Sequence, residues 1–219
     1  MTTNQTFSVN NLSVSRGDRP VFQELTFDLV KGDLLKLTGP NGSGKSTLLK
    51  TISGLIDSVG GDIRSDGVSV LEDREWLSQN ICYLGHKNAL KREFSVLENI
   101  EFWAELWGNK SKINSSIDQM GIRYLIDTPV RHLSSGQLRR TALARSLCHS
   151  ADIWLFDEPT VGLDDQGLGL LAGAMKSHLD AGGIIICATH VELGIENDVT
   201  KTLNLADHSV AIRSLEGRW

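Results

Sequence analysis

Nine consecutive residues, Gly39-Pro40-Asn41-Gly42-Ser43-Gly44-Lys45-Ser46-Thr47, carry the spacing G-x-x-x-x-G-K-[ST]. The chemistry that needs these residue types in this order is phosphate binding. Glycines let the backbone curl until successive N–H groups point inward at phosphate oxygens. A helix opening at Lys45 adds the partial positive charge of its N-terminus. The Lys45 ammonium is long enough to reach the β- and γ-phosphates of a nucleotide, and the Ser46 hydroxyl is a hard oxygen ligand suited to Mg2+. A chance lysine in a glycine-rich turn would share the composition but not the context, because an apolar run precedes this loop and a helical pattern follows it.

Two further groups add to this one. Ile153-Trp154-Leu155-Phe156 is an apolar run that ends in two carboxylates, Asp157 and Glu158. In a parallel sheet, ligands sit at the carboxyl ends of strands. Asp157 is thus positioned to hold Mg2+, and Glu158, pointing differently, to polarise an attacking water. Solvated acids at a loop start would look the same in isolation; downstream of a phosphate loop they become a candidate hydrolytic pair. Leu133-Ser134-Ser135-Gly136-Gln137 opens another helical pattern. Ser134 and Gln137 have capping-box spacing, which explains them as a well-capped helix. The same hydroxyl and N–H groups could also receive a second phosphate.

The elements that must position these groups are legible as patterns. Phe7, Val9, Leu12 and Val14, then Val21-Phe22, then Leu25, Phe27 and Leu29 read as strands, with turns at Arg16–Asp18 and Lys31–Asp33. Leu34–Leu37 is a short strand running into the glycine loop. Leu48, Leu49 and Ile52 share one helix face, stopped at Gly54. Turn residues at 60–62 and 65–67 mark a hairpin. The middle third becomes helical: Val96, Leu97, Ile100, Trp103 and Trp107 recur at helical spacing, as do Ile113, Ile117 and Met120. Leu138, Ala142, Leu143 and Leu147 follow after Pro129. The last third alternates again, with Ile153–Phe156 and Ile184–Cys187 as continuous apolar strands on either side of the Leu168, Leu171, Ala172, Met175, Leu179 stripe. Continuous apolar runs suit a buried parallel sheet. The expectation is an α/β fold of the P-loop NTPase kind: a parallel core sheet, an antiparallel N-terminal β flank and a helical insertion. It forms one domain over 1–219, with a core lobe at about 1–85 and 150–219 and a helical lobe at about 86–149.

Composition narrows the class. The 219 residues are 40% hydrophobic and carry 22 Lys+Arg against 27 Asp+Glu, a formal net charge of −5, so disorder and a whole-molecule attraction to nucleic acid are excluded. Cys82, Cys148 and Cys187 are an odd, widely spaced set that fits buried thiols in a reduced compartment. His132, His149, His178 and His208 have no metal-ligand spacing. No signal-peptide pattern is visible, and no apolar run approaches the roughly 20 residues of a membrane helix.

The order of phosphate loop, LSSGQ, IWLFDEP, Gly162-Leu163-Asp164 and Thr189-His190 resembles the ATP-binding cassette (ABC) ATPases over essentially the whole chain. The resemblance implies ATP and Mg2+ as ligands, Lys45, Glu158 and His190 as catalytic groups, and a head-to-tail dimer. In that dimer Ser134, Ser135, Gly136 and Gln137 act on the ATP of the second copy, and Asp164 lies at the interface. His190 then contacts the γ-phosphate. Two positions depart from the pattern. His86 stands where most of the family has a glutamine near Mg2+ and water, and Arg16 stands where an aromatic usually stacks on adenine; a guanidinium plane could stack there instead. Among Arg139, Arg140 and Arg145, two are expected to be solvated and one to assist the second copy's phosphate. Trp103 and Trp107 are expected in the core, with a groove for a partner's helix as the alternative, and Lys87, Lys91 and Arg92 are expected as a solvated basic patch, with phospholipid headgroups or a membrane subunit as the alternative. The run YLGHKNALKREFSVLENI resembles the ATPase subunits of haem-exporting cytochrome c maturation systems. That implies integral membrane subunits as partners, no nucleic acid, and a peripheral place on the cytoplasmic side of the bacterial inner membrane. A soluble ABC protein acting on ribosomes or DNA and a P-loop kinase are the competing classes. The first usually has two cassettes or a long coiled-coil insertion, and the second has no use for an LSSGQ segment.

Overall fold

The computed structural model describes residues 6–195 and 200–208; the ends of the expected single domain and residues 196–199 lie outside them. Two sheets form. The first is antiparallel, with strand order β2-β1-β4-β5, from β1 (Thr6–Arg16), β2 (Arg19–Val30), β4 (Gly60–Ser65) and β5 (Val68–Ser69). The second is parallel, with order β6-β7-β8-β3-β9, from β6 (Ile81–Leu84), β7 (Ile153–Asp157), β8 (Ile184–Ala188), β3 (Leu34–Thr38) and β9 (Thr200–Asn204). Among the described residues six α-helices accompany them: α1 (Lys45–Ile52), α2 (Arg74–Asn80), α3 (Val96–Leu106), α4 (Ile113–Gln119), α5 (Ser135–Leu147) and α6 (Asp165–Asp180).

The parallel sheet is the middle of three layers, and its two-residue period decides what each face meets. Leu34, Leu84, Trp154, Phe156, Ile185 and Cys187 join one buried cluster with the apolar faces of α3 to α6. Leu35, Leu37, Ile153, Leu155, Ile184 and Ile186 join the other, with Leu48, Leu49 and Ile52 of α1 and with Phe7, Val9, Phe22 and Leu25 of the antiparallel sheet. The continuous apolar runs in β7 and β8 follow from burial on both faces. Five positions in each are buried without exception.

The expected α/β fold of the P-loop NTPase kind is therefore what forms, with the predicted antiparallel flank. The strands at 81–84 and 200–204 and helix α2 were not anticipated. Helix α5 also differs from its predicted single apolar face: every residue from Arg139 to Leu147 is buried. Arg139, Arg140 and Arg145 are only 2%, 8% and 6% exposed, so the expectation of solvated arginines is wrong. Cys82, Cys148 and Cys187 are free and buried, and burial raises the Cys82 thiol to about 11, which leaves it inert at neutral pH. Among the described residues no helix is long and apolar enough to cross a membrane.

Candidate functional site

Four parallel strands deliver their carboxyl ends to one edge of the sheet. β3 runs into the 39–44 loop, β6 into Gly85-His86, β7 into Asp157-Glu158 and β8 into Thr189-His190. A cleft of about 420 Å3 opens at that edge. Asn41, Gly42, Gly44, Lys45, Ser46 and Thr47 form one wall. His86, Asp157 and Glu158 form another, and Arg16, at the end of β1, closes a third side with Val21. The structure thus gathers the phosphate loop, the acid pair, His86 and Arg16 around one space.

The loop is shaped by positions that no side chain would fit. Gly44 precedes α1 at φ 104°, and a Cβ there would lie 2.8 Å from Val21 Cγ1. The turn brings the Lys45 ammonium back over the loop, where it donates to the carbonyls of Gly39 at 2.6 Å and Pro40 at 3.2 Å. Lys45 is only 8% exposed. Ser43 is buried, and its hydroxyl has no hydrogen-bond partner. A cation, an orphaned hydroxyl and the free N–H groups at the start of α1 together make an anion cradle.

Glu158, which lines the same cleft, has φ 51°, a conformation that costs energy outside glycine and is held by its surroundings. Its N–H donates to the Ala188 carbonyl at 2.8 Å, tying the end of β7 to β8. His190 Nε2 lies 3.5 Å from Glu158 Oε1, with His190 largely exposed. Thr160 and Thr189 hydroxyls meet at 3.1 Å and brace the same two loops. The carboxylate and the imidazole are close enough to bond to one water lying beside them.

No cluster of three or more His, Cys, Asp or Glu side chains able to hold a metal occurs among the described residues. Mg2+ at a nucleotide does not need one, because it keeps waters and takes phosphate oxygens, using one or two protein oxygens. Ser46 and Asp157 line the same cleft and supply such oxygens, so the residues present fit the ion.

The LSSGQ residues do not line the cleft of their own chain. Ser134 caps α5 and Gln137 completes the box: Ser134 Oγ accepts from the Gln137 N–H, and Gln137 Oε1 accepts from the Ser134 N–H at 2.9 Å. Ser134 and Ser135 face solvent. Asp164 is exposed too, and its carboxylate accepts from the Gly167 N–H at 2.8 Å as the cap of α6. The loop between β7 and α6 passes so close to the motif that a Cβ on Gly136 would sit 2.6 Å from the Gly162 carbonyl oxygen. Gly136→Ala must push that backbone away. The expected outcome is a lower melting temperature, equivalent to a loss of ~1–3 kcal/mol, read by thermal denaturation.

Sequence reasoning missed the role of Arg139. Its guanidinium reaches the carbonyls of Asp157, Glu158 and Pro159 after β7 and of Gly85 after β6, at 2.8–3.0 Å. Burial lowers its pKa to about 10, with the charges of Asp157 and Glu158 acting in the opposite sense, so it stays cationic at neutral pH.

The family model described as ABC transporter matches residues 22–161. The chain belongs to the ABC transporter family. Among its ABC relatives is the cytochrome c biogenesis ATP-binding export protein CcmA of Rhizobium meliloti, 42% identical over 189 residues, covering 84% of this chain and 90% of the relative. The protein of the same name from Bradyrhizobium diazoefficiens is 44% identical over 184 residues, covering 83% and 90%. Among solved structures, an ABC transporter ATP-binding protein from Pyrococcus furiosus aligns with TM-score 0.80 at 29% identity, covering 94% of this chain and all of that one. A nucleotide-binding cassette is therefore the frame in which the cleft is read.

Proposed function

We propose that this chain is the ATP-hydrolysing subunit of an ABC transporter complex of the haem-export, cytochrome c maturation type, whose turnover drives release of a haem chaperone. The observation that carries the hydrolytic reading is the Glu158–His190 pair at 3.5 Å, with Glu158 lining the same cleft as the phosphate loop. The subtype is supported by the two relatives above 40% identity and by the Gly85-His86-Lys87 segment.

Gly39 to Thr47 cradle the phosphates, with Lys45 directed at the β- and γ-groups and Arg16 placed to stack on the base. Mg2+, when bound through Ser46 and Asp157, offsets phosphate charge. Glu158 takes a proton from water as its oxygen bonds to the γ-phosphorus. The bond to the β,γ-bridging oxygen breaks, and ADP and phosphate leave. His190 orients the γ-phosphate and water, and His86 offers a ring nitrogen to the same water. The exposed Ser134-Ser135 edge, with Gly136 and Gln137, is presented to the ATP of a second copy, and Asp164 lies between the copies. Exposed Val161 and Val191, neighbours of the two catalytic loops, support such a contact, being 52% and 40% exposed. ATP is then shared by two chains, and hydrolysis releases them.

The membrane subunits dock beside the helical lobe, at residues 86–149. Trp103 and Trp107 are half-buried rather than core, 5.2 Å apart, with the Arg145 guanidinium over Trp103. They line a groove of about 310 Å3 with Ile81, Tyr83 and Ala89. Phe102 and Leu106 beside it are 47% and 65% exposed, which is an apolar surface that a partner helix would cover. On this reading the chain works on the cytoplasmic face of the bacterial inner membrane, held by those subunits.

Co-expression with the candidate membrane subunits tests the assignment. The wild-type chain is expected to co-purify with the membrane fraction and to hydrolyse ATP there. A Phe102→Glu, Leu106→Glu variant is expected to leave the membrane fraction and keep its ATP affinity. Retention of that variant at wild-type level would contradict the docking surface.

A further inference from the structure

Arg139 lies one turn into α5, beyond the LSSGQ motif, and is 2% exposed. A guanidinium has five N–H donors in a fixed plane. All five are used here, and none by a carboxylate. Nε donates to Pro159 O at 3.0 Å. Nη1 donates to Gly85 O and to Asn88 Oδ1, both at 3.0 Å. Nη2 donates to Asp157 O at 3.0 Å and to Glu158 O at 2.8 Å. The acceptors come from two loops, one carrying Glu158 and the other carrying His86. Four are backbone carbonyls at the ends of β6 and β7, where the ladder no longer supplies donors, and the fifth is the side-chain amide oxygen of Asn88.

We propose that Arg139 is a positioning residue for hydrolysis. It holds the left-handed Glu158 turn and the His86 loop in fixed relation to α5, so that the carboxylate, the histidine loop and the LSSGQ segment move as one body. This rests on the reading of Glu158 as the base. The φ of 51° at Glu158 needs an external clamp, and the shortest of the five bonds is the one to that residue's own carbonyl. Lysine cannot replace the clamp. It has three donors for five acceptors, and no planar fork to meet two loops at once. The device joins an element that faces a second copy to the groups that act on the chain's own ATP.

The experiment uses the full chain with its membrane partners, comparing wild type, Arg139→Lys, Arg139→Ala and Asn88→Ala, with Glu158→Gln in the same assay. Arg139→Lys is expected to lower kcat on the order of 100-fold, the scale of a displacement of about 1 Å, while the KM for ATP stays near wild type. Arg139→Ala is expected to be as slow and to regain turnover with added guanidinium but not with ammonium. Asn88→Ala removes one acceptor and no backbone group, so it reports even if the arginine variants fail to fold; a smaller fall in kcat at constant KM is expected. Wild-type kcat in Arg139→Lys, no response of Arg139→Ala to guanidinium, or unchanged kcat in Asn88→Ala would each overturn the proposal while an inactive Glu158→Gln leaves the site reading standing. Full activity in Glu158→Gln would overturn that reading first, and this inference with it.

Discussion

Replacing Glu158 with glutamine is expected to lower ATP turnover by about 10²–10⁴-fold, the usual contribution of a general base, without weakening ATP binding. The two side chains have the same shape, so the amide keeps the 3.5 Å approach to His190 but cannot take the proton from water. The backbone that aims the side chain is unaffected. The Glu158 N–H still donates to Ala188 O, and its carbonyl still accepts from Arg139. Steady-state hydrolysis and nucleotide affinity, measured on the same preparation, separate these effects. Equal losses in both would mean that the variant had damaged the cleft rather than the chemistry.

Lys45→Ala is expected to have the opposite signature, in which binding itself is lost. Lys45 is 8% exposed, and its ammonium is held over the loop by the Gly39 and Pro40 carbonyls. It is therefore pre-positioned, and little side-chain freedom remains to be lost when phosphate arrives. A hydrogen bond to a charged group contributes ~1.5–3 kcal/mol, so ATP affinity should fall roughly 10- to 150-fold. Titration with a fluorescent ATP analogue checks this. Affinity unchanged in Lys45→Ala would mean that phosphate does not lie against the loop.

Much of this site could be read before the structure because its parts are local. The phosphate loop, the Asp157-Glu158 strand end and the LSSGQ cap are each a short run whose context is visible a few residues away. The strands β7 and β8 were legible for a related reason: burial on both faces leaves an unbroken apolar run. What was missed lacks a local signal. β6 is a four-residue strand, Ile81–Leu84, following directly on the short helix α2, in which Leu77 alone is buried. Neither is long enough to show a period. β9, Thr200–Asn204, is a polar strand at the sheet edge with no buried position, so nothing in it alternates. Arg139 was grouped with Arg140 and Arg145, two of the three being expected at the surface, because arginine is rarely buried. Its partners are backbone carbonyls 18 to 54 residues away, and a carbonyl leaves no mark on sequence. The signature residues present a different limit. Their capping role is complete within one chain, and the cleft of that chain does not include them. Any action on phosphate requires a second copy.

The dimer that this requires gives the most direct test. Glu158→Gln should be mixed with ATP and Mg2+, separated by size-exclusion chromatography with light scattering, and assayed for bound nucleotide. The account predicts a particle of twice the monomer mass holding one ATP per chain, falling back to monomer when ATP is withheld. A single chain free of nucleotide under saturating ATP, with or without the membrane subunits, would contradict it.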